Sequence, residues 1–333
     1  MAENIIKDIK NKKIAPIYFL MGEEPYFIDR ISKFIEREVL TEDERGFNQT
    51  VIYGNETDLA GIVGLAKQFP MGAERSVVIV KEAQHLAKTI DQLEAYANQP
   101  QPTTVLVFNY KGKTLDKRKK LYKEIQKSGV LFESKKLYEN QVPDWIENTA
   151  KSLGFSIDTK AKFLLAEYLG NDLSRIENEL EKLKIIINDG KITLEIIEKN
   201  IGISKDYNNF ELRNAIENRN PKKAFQIVHY FSQNPKDNPL VMTLSILFQL
   251  FSNLIVYHTL TDKSQSNVAK ELRIHPFFVK DMANAAKNYP LKKATRIISL
   301  LREADVKSKG VGATGNVSDG DLLKELIFKI FNT

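Results

Sequence analysis

The sequence predicts an α/β domain built on a largely parallel sheet, followed by all-helical domains. Three observations carry that reading. Short apolar runs alternate with helical patterns through residues 1–140. From Val142 to Thr333 apolar residues recur almost entirely at helical spacing. Prolines and glycines punctuate the segments where starts and stops are expected.

The first strand is Ile17-Tyr18-Phe19-Leu20, ended by the turn Met21-Gly22-Glu23-Glu24-Pro25. A helix from about Tyr26 to Val39 puts Ile28, Ile31, Ile35 and Val39 on one side. Phe47 to Tyr53 reads as a second strand and Leu59 to Lys67 as a short helix. Val77–Val80, Val105–Phe108 and Val130–Phe132 supply three more strands. Runs this uniformly apolar suit a parallel sheet covered on both faces. The acidic pairs Glu23-Glu24 and Glu42-Asp43 read as solvated loop residues.

Beyond residue 140 a helix opens at Asp144-Trp145-Ile146 and ends near Gly154. Lys160–Leu169 is the next, closed by Gly170. Asp172 can cap the one after it, with Leu173, Ile176, Leu180 and Leu183 on one face. Ile201-Gly202-Ile203-Ser204 reads as a boundary, and Phe210–Phe331 as a bundle of five or six helices. Pro221, Pro239, Pro276 and Pro290 fall near helix starts, where a missing N–H costs little. Gly310–Gly320 reads as a flexible loop. The expected domains are therefore 1–140, 141–205 and 206–333. The apolar stretch Val241–Val256 is interrupted by Ser245, Gln249, Ser252 and Asn253, so it reads as a buried helix and not a membrane span.

The chain has 333 residues, 42% hydrophobic and 28% charged, enough for each domain to bury its own core. The absence of cysteine excludes disulfides and thiolate metal sites, and suits a reducing cytoplasm. Met1 to Lys12 is mixed in charge and reads as no secretory leader. The net charge of +6 lies wholly in residues 206–333, since acidic and basic residues balance before them. Within that basic third, Lys280, Lys287, Lys292, Lys293 and Arg296 are candidates to face nucleic-acid phosphates or a neighbouring protein. Trp145 and the Tyr/Phe set do not interleave with basic residues as base-stacking surfaces do.

An α/β domain with helical domains behind it invites a nucleotide hypothesis. A phosphate loop needs G-x-x-x-x-G-K-[ST], whose glycines free backbone N–H groups and whose lysine reaches the terminal phosphate. After the first strand there is only Gly22, with Phe27 five residues on. Gly112-Lys113-Thr114 has the motif's tail, but Val107 stands in place of its first glycine. The second element is an apolar strand ending in an acidic pair that holds Mg²⁺. Here Val77–Val80 is followed by Lys81 and Glu82, and a cation at the first position repels the metal. No catalytic residue and no metal ligand set stands out. His85, His229, His258 and His275 have no partners at metal-ligand spacing, and the G-x-S-x-G elbow is missing.

Over nearly its whole length the chain resembles the delta subunit family of the bacterial DNA polymerase III clamp loader. Pro16-Ile17-Tyr18-Phe19-Leu20-Met21-Gly22-Glu23-Glu24-Pro25-Tyr26 is similar to the family's opening strand and degenerate phosphate loop. Gln68-Phe69-Pro70-Met71-Gly72-Ala73-Glu74-Arg75-Ser76-Val77-Val78 resembles its clamp-contacting segment. Thr103–Phe108 with Asp116–Leu121 resembles the next strand and the helix after it. Gly170-Asn171-Asp172-Leu173 with Glu177–Leu183 resembles its small helical domain. Asp305, Lys307, Lys309, the glycine-rich loop and Leu322-Leu323 match its closing pattern. The order and spacing of these segments carry the likeness.

The resemblance implies a RecA-like AAA+ domain with a parallel sheet, a small helical lid and an all-α collar. It implies a subunit of a DNA-directed DNA polymerase holoenzyme, a nucleotidyltransferase, with no catalytic site of its own and no cofactor. The implied partners are the beta sliding clamp and delta-prime and gamma/tau-type subunits in a five-subunit ring, with primer-template DNA as a candidate further partner and no membrane. Active AAA+ members carry an arginine where Ser174 stands here, with Arg175 one later. Gly22, Lys81, Glu82 and Ser174 thus mark an inactive nucleotide site. The implied clamp contact is Phe69, Pro70 and Met71, with Gln68 and Leu65 beside them. The competing reading packs Phe69 and Met71 as core under the following strand. The rival functions are an active AAA+ ATPase, opposed by both broken motifs, and a stand-alone DNA-binding protein, opposed by the neutral first two-thirds.

Overall fold

The computed structural model describes residues 2–187, 190–311 and 318–333. It divides into two compact units, Met1–Leu137 and Tyr138–Thr333. In the first the order is α1 (Ala2–Lys10), β1 (Ile17–Gly22), α2 (Pro25–Glu38), α3 (Glu42–Asn48), β2 (Gln49–Tyr53), α4 (Leu59–Ala66), β3 (Ser76–Lys81), α5 (Glu94–Asn98), β4 (Thr104–Lys111), α6 (Lys120–Ser128) and β5 (Val130–Ser134). The five strands form one sheet in the order β2-β3-β4-β1-β5, and every pair is parallel.

Strand side chains alternate between two cores. Ile17, Phe19, Met21, Val78, Val80, Leu106 and Phe108 pack with Leu59 and Ile62 of α4, Tyr96 of α5 and Leu121 and Ile125 of α6. Tyr18, Leu20, Val77, Ile79, Val105 and Val107 pack with Ile9 of α1 and Ile28, Ile31 and Ile35 of α2. Burying each large apolar side chain stabilises by about 1.5–3 kcal/mol. Double coverage explains why these strands read as unbroken apolar runs. Parallel pairing places the carboxyl ends of β1, β3 and β4, where ligands of open parallel sheets bind, on one edge.

The second expected strand is corrected at its start. Phe47 and Asn48 close helix α3, and β2 begins at Gln49. Glu42 and Asp43 are therefore not loop residues but the first turn of α3, where acidic side chains favour the helix dipole. Thr41 starts that helix by donating its backbone N–H to Glu44 Oε2 at 2.9 Å.

The second unit contains α7 (Val142–Ser152), β6 (Ser156–Ile157), α8 (Thr159–Leu169), α9 (Leu173–Ile186), β7 (Lys191–Ile192) and α10 (Leu194–Ile201). It continues with α11 (Asn209–Glu217), α12 (Pro221–Gln233), α13 (Leu240–Thr259), α14 (Gln265–Leu272), α15 (Val279–Asn288), α16 (Leu291–Ser308) and α17 (Asp319–Phe331). The predicted cap is present: Asp172 Oδ1 accepts from Arg175 N–H at 3.0 Å. Two departures from the all-helical reading appear. β6 and β7 pair as a two-stranded parallel sheet. The C-terminal bundle has seven α-helices among the described residues, because left-handed Arg273 and then Pro276 break one helical stretch into α14 and α15.

Helix α13 is long and apolar enough to cross a membrane by length and composition. Leu244, Leu247, Leu250, Phe251 and Leu254 on one face lie in the bundle core, while Val241, Phe248 and Val256 are exposed. The expectation of a buried helix thus holds for one face. Of the expected glycine-rich loop, Gly312 and Gly315 lie outside the described residues. Gly320 is not loop but the first turn of α17, capped by the Ser318 hydroxyl and packed so closely on α12 that a Cβ would come within 2.5 Å of Ser232 Cβ.

Candidate functional site

An apolar segment links α4 to β3. Asp58 starts α4 by accepting from Gly61 N–H at 2.8 Å. Leu65 is half-buried against the core, so it anchors the end of the helix. Beyond Ala66 the chain leaves the core. Gln68 is exposed and Pro70 half-buried, while Phe69 and Met71 are 78% and 69% exposed. That exposure rules out the reading of Phe69 and Met71 as core.

The segment is held by a residue the sequence reading passed over. Asn48, buried at the end of α3, accepts from Met71 N–H at 2.6 Å and donates to Met71 O at 3.0 Å. A second Asn48 donation, to Glu44 O at 3.1 Å, fixes the amide on its own helix. Gly72 then turns with φ +66. Nothing in local periodicity signals this pairing, since Asn48 and Met71 are 23 residues apart.

The turn after β1 is where a phosphate would sit in a nucleotide-binding relative of this architecture. Here its donors are used within the chain. Gly22 N–H donates to Lys113 O at 3.0 Å and Glu23 N–H to Ser134 O at 3.1 Å. Glu24 N–H donates to Ser134 Oγ at 3.3 Å. The Glu24 carboxylate, 7% exposed, caps α2 by accepting from Tyr26 N–H at 3.2 Å. The chain's own carboxylate therefore takes the anion position at that helix terminus.

The neighbouring strand ends carry ion pairs. Lys81 Nζ lies 3.5 Å from Glu36. Lys111 Nζ lies 2.9 Å from Asp29 and 3.1 Å from Glu82, so an ammonium sits between two carboxylates. The Gln84 amide, and then Lys111, hold the Glu82 carboxyl below its ordinary range. Burial works against the Lys111 charge, but Asp29 and Glu82 overcome it and raise its pKa. Ser174 is exposed in the first turn of α9, in the other compact unit, and Arg175 lies 6.0 Å over the Tyr168 ring. No group of three or more His, Cys, Asp or Glu among the described residues is arranged to hold a metal ion.

The five basic candidates lie on α15 (Lys280, Lys287) and α16 (Lys292, Lys293, Arg296). All are exposed except half-buried Lys293, and among the described residues none forms an ion pair. By contrast, Lys307 and Lys309 at the other end of α16 pair with Glu303 and Asp305.

The second unit also contains a cavity of about 580 Å³ lined by Phe163, Glu167, Arg213, Met242, His275 and Phe278 among others. Burial pushes the Glu167 carboxyl up to about 7, against the pull of Arg213 and a hydrogen bond from the Phe210 backbone. The folded chain then holds this proton over pH 4.5–7 while the unfolded chain has lost it. Stability from this group is complete below pH 4.5 and declines as pH rises to 7. Glu167 borders the open cavity, so the loss is about 2 kcal/mol. Urea unfolding at pH 5 and pH 8 should show that decline, and Glu167→Gln should remove it.

The comparisons with known proteins agree along the chain. A family model described as DNA polymerase III, delta subunit, matches residues 18–135. A second, described as the DNA polymerase III delta subunit, C-terminal domain, matches residues 206–329, and a third, described as a middle domain, matches 138–199. The chain is 30% identical to DNA polymerase III subunit delta of Bacillus subtilis over 98% of its own length and 95% of that protein's. It is 23% identical to DNA polymerase III subunit delta of Buchnera aphidicola, over 90% of this chain and 88% of that one. Its fold is similar to the solved Bacillus subtilis DNA clamp loader delta protein, with 28% identity and a TM-score of 0.59 over 100% of both chains. Sheet order, helical second unit and these matches lead to one conclusion: the chain belongs to the DNA polymerase III delta subunit family, that of the clamp loader.

Proposed function

We propose that this chain binds the beta sliding clamp through Phe69 and Met71, with Gln68 and Pro70 beside them and Leu65 as anchor, and opens the ring without hydrolysing ATP. The observation that carries the reading is the pair of large apolar side chains held out in solvent by a loop tied through its own backbone. A preorganised apolar plug loses little entropy on entering a pocket, so most of its burial energy appears as affinity. Opening needs no bond chemistry. A subunit that prefers the open clamp shifts the clamp's equilibrium by its differential affinity for the two forms.

The inactive nucleotide site rests on three features. The donors of Gly22, Glu23 and Glu24 are taken, Lys81 and Lys111 bring cations to the strand ends, and Ser174 stands in place of an arginine. In this reading ATP acts on the partner subunits, of delta-prime and gamma/tau type, in a cytoplasmic ring. Residues 1–140 are the RecA-like clamp-binding domain, 141–205 the lid and 206–333 the collar. Among the described residues Lys280, Lys287, Lys292, Lys293 and Arg296 form no ion pair, which favours a second contact, with primer-template phosphates. Replacing Lys292 and Arg296 by alanine should then weaken DNA binding equally for all sequences and lower the slope of log affinity against log salt by about 2. An unchanged slope leaves this surface to the collar.

The test of the main reading is titration of the full chain with beta clamp in the absence of nucleotide and DNA. Micromolar or tighter binding supports it, as does ATP turnover no higher than buffer. A chain that ignores the clamp, or that hydrolyses ATP alone, overturns it.

A further inference from the structure

We infer that the clamp contact extends beyond the α4–β3 segment to the end of α3, with Phe47 as a third apolar anchor and Asn48 as the residue that sets the plug in its binding shape. The inference rests on the clamp-binding reading above and deepens it.

Among the described residues of the first unit, four large apolar side chains are exposed: Phe47, Tyr53, Phe69 and Met71. Phe47 is 78% exposed, as much as Phe69. Its position is tied to the plug through its neighbour, because the Asn48 amide bonds both backbone groups of Met71. Bond lengths and those two hydrogen bonds bring the Phe47 and Met71 Cα atoms within roughly 12 Å. Two phenyl rings and a thioether thus emerge from adjoining backbone, and that backbone is hydrogen-bonded on both sides. α3 is started by the Thr41–Glu44 hydrogen bond, and Asn48 is bonded to its own helix as well as to the loop. A helix-end phenylalanine facing water serves no core, whereas beside a clamp-binding plug it enlarges the apolar area a clamp can cover. The occupant is the surface that receives Phe69 and Met71, since a partner seated on Met71 reaches the end of α3 next.

Asn48 acts by position and need not touch the clamp. Without its amide the Met71 backbone loses both partners, and the loop no longer holds Phe69 and Met71 in one arrangement.

The test is the affinity of the full chain for beta clamp across a set of variants, with thermal melting as the check on folding. Phe47→Ala should weaken binding by about tenfold or more while Tm stays put, because the side chain is exposed. Tyr53→Ala, at the far end of β2, should leave affinity unchanged. Asn48→Ala should weaken binding in the wild type and weaken it less in a Phe69→Ala background, since it works through the plug. If Phe47→Ala binds as the wild type does while Phe69→Ala/Met71→Ala loses binding, the extension is wrong and the clamp reading stands. If Asn48→Ala costs the same in both backgrounds, its role is only structural and that part of the inference fails. If the wild type does not bind clamp at all, the underlying function is what has failed.

Discussion

Phe69→Ala/Met71→Ala in one chain is expected to weaken clamp binding by at least about a hundredfold while leaving Tm unchanged. The fold loses nothing because both side chains are already in solvent, 78% and 69% exposed. The complex loses the burial of two large apolar groups, about 1.5–3 kcal/mol each. Together these correspond to about two to four decades in affinity. Phe69 has the larger apolar area and should account for more of the loss when the two are separated. Titration of each variant against beta clamp without nucleotide checks the result. Wild-type affinity in a folded double variant would place the contact elsewhere on the chain.

Gly22→Ala should destabilise the first unit by about 3–5 kcal/mol, two terms acting together. Gly22 has φ +125, a region L-residues rarely adopt. A Cβ there would also lie 2.0 Å from Ser134 O and 2.6 Å from Ser134 Oγ, on the strand with which β1 pairs at that register. The obstacle is backbone, so β1 and β5 would have to part where Gly22 and Ser134 meet. A fall in Tm on the order of 10–20 °C is expected. Gly64→Ala is the control. It sits in α4 with nothing within 4 Å of the added carbon, and should stabilise slightly, by about 0.5–1 kcal/mol. A Gly22→Ala chain that melts within a few degrees of wild type would mean that the β1 end can relax. A large loss would show that this glycine, which resembles a remnant of a phosphate loop, is needed for strand packing.

Much of the architecture was legible because its signals are local. The apolar runs at Ile17, Val77 and Val105 mark strands covered on both faces, and Asp172 caps its helix as its position before Leu173 implied. Two departures have separate causes. The apolar Phe47 ahead of β2 suggests strand, but the Thr41–Glu44 start carries the helix through Asn48. Gly320 looked like loop and is helix, because its missing side chain lets α17 approach Ser232.

The functional features divide in the same way. The sequence by itself determined that the phosphate-loop motif is broken, that Lys81 follows the third strand, and that Phe69 and Met71 flank a proline ahead of that strand. Only the tertiary structure decided that Phe69 and Met71 face water, that Asn48 holds them there, and that Ser134 and Lys113 take the backbone donors of Gly22, Glu23 and Glu24. Residue type and spacing report what a segment can bury along its own helix or strand. Exposure and hydrogen-bond occupancy depend on partners 23 to 111 residues away, which meet only when the sheet is assembled.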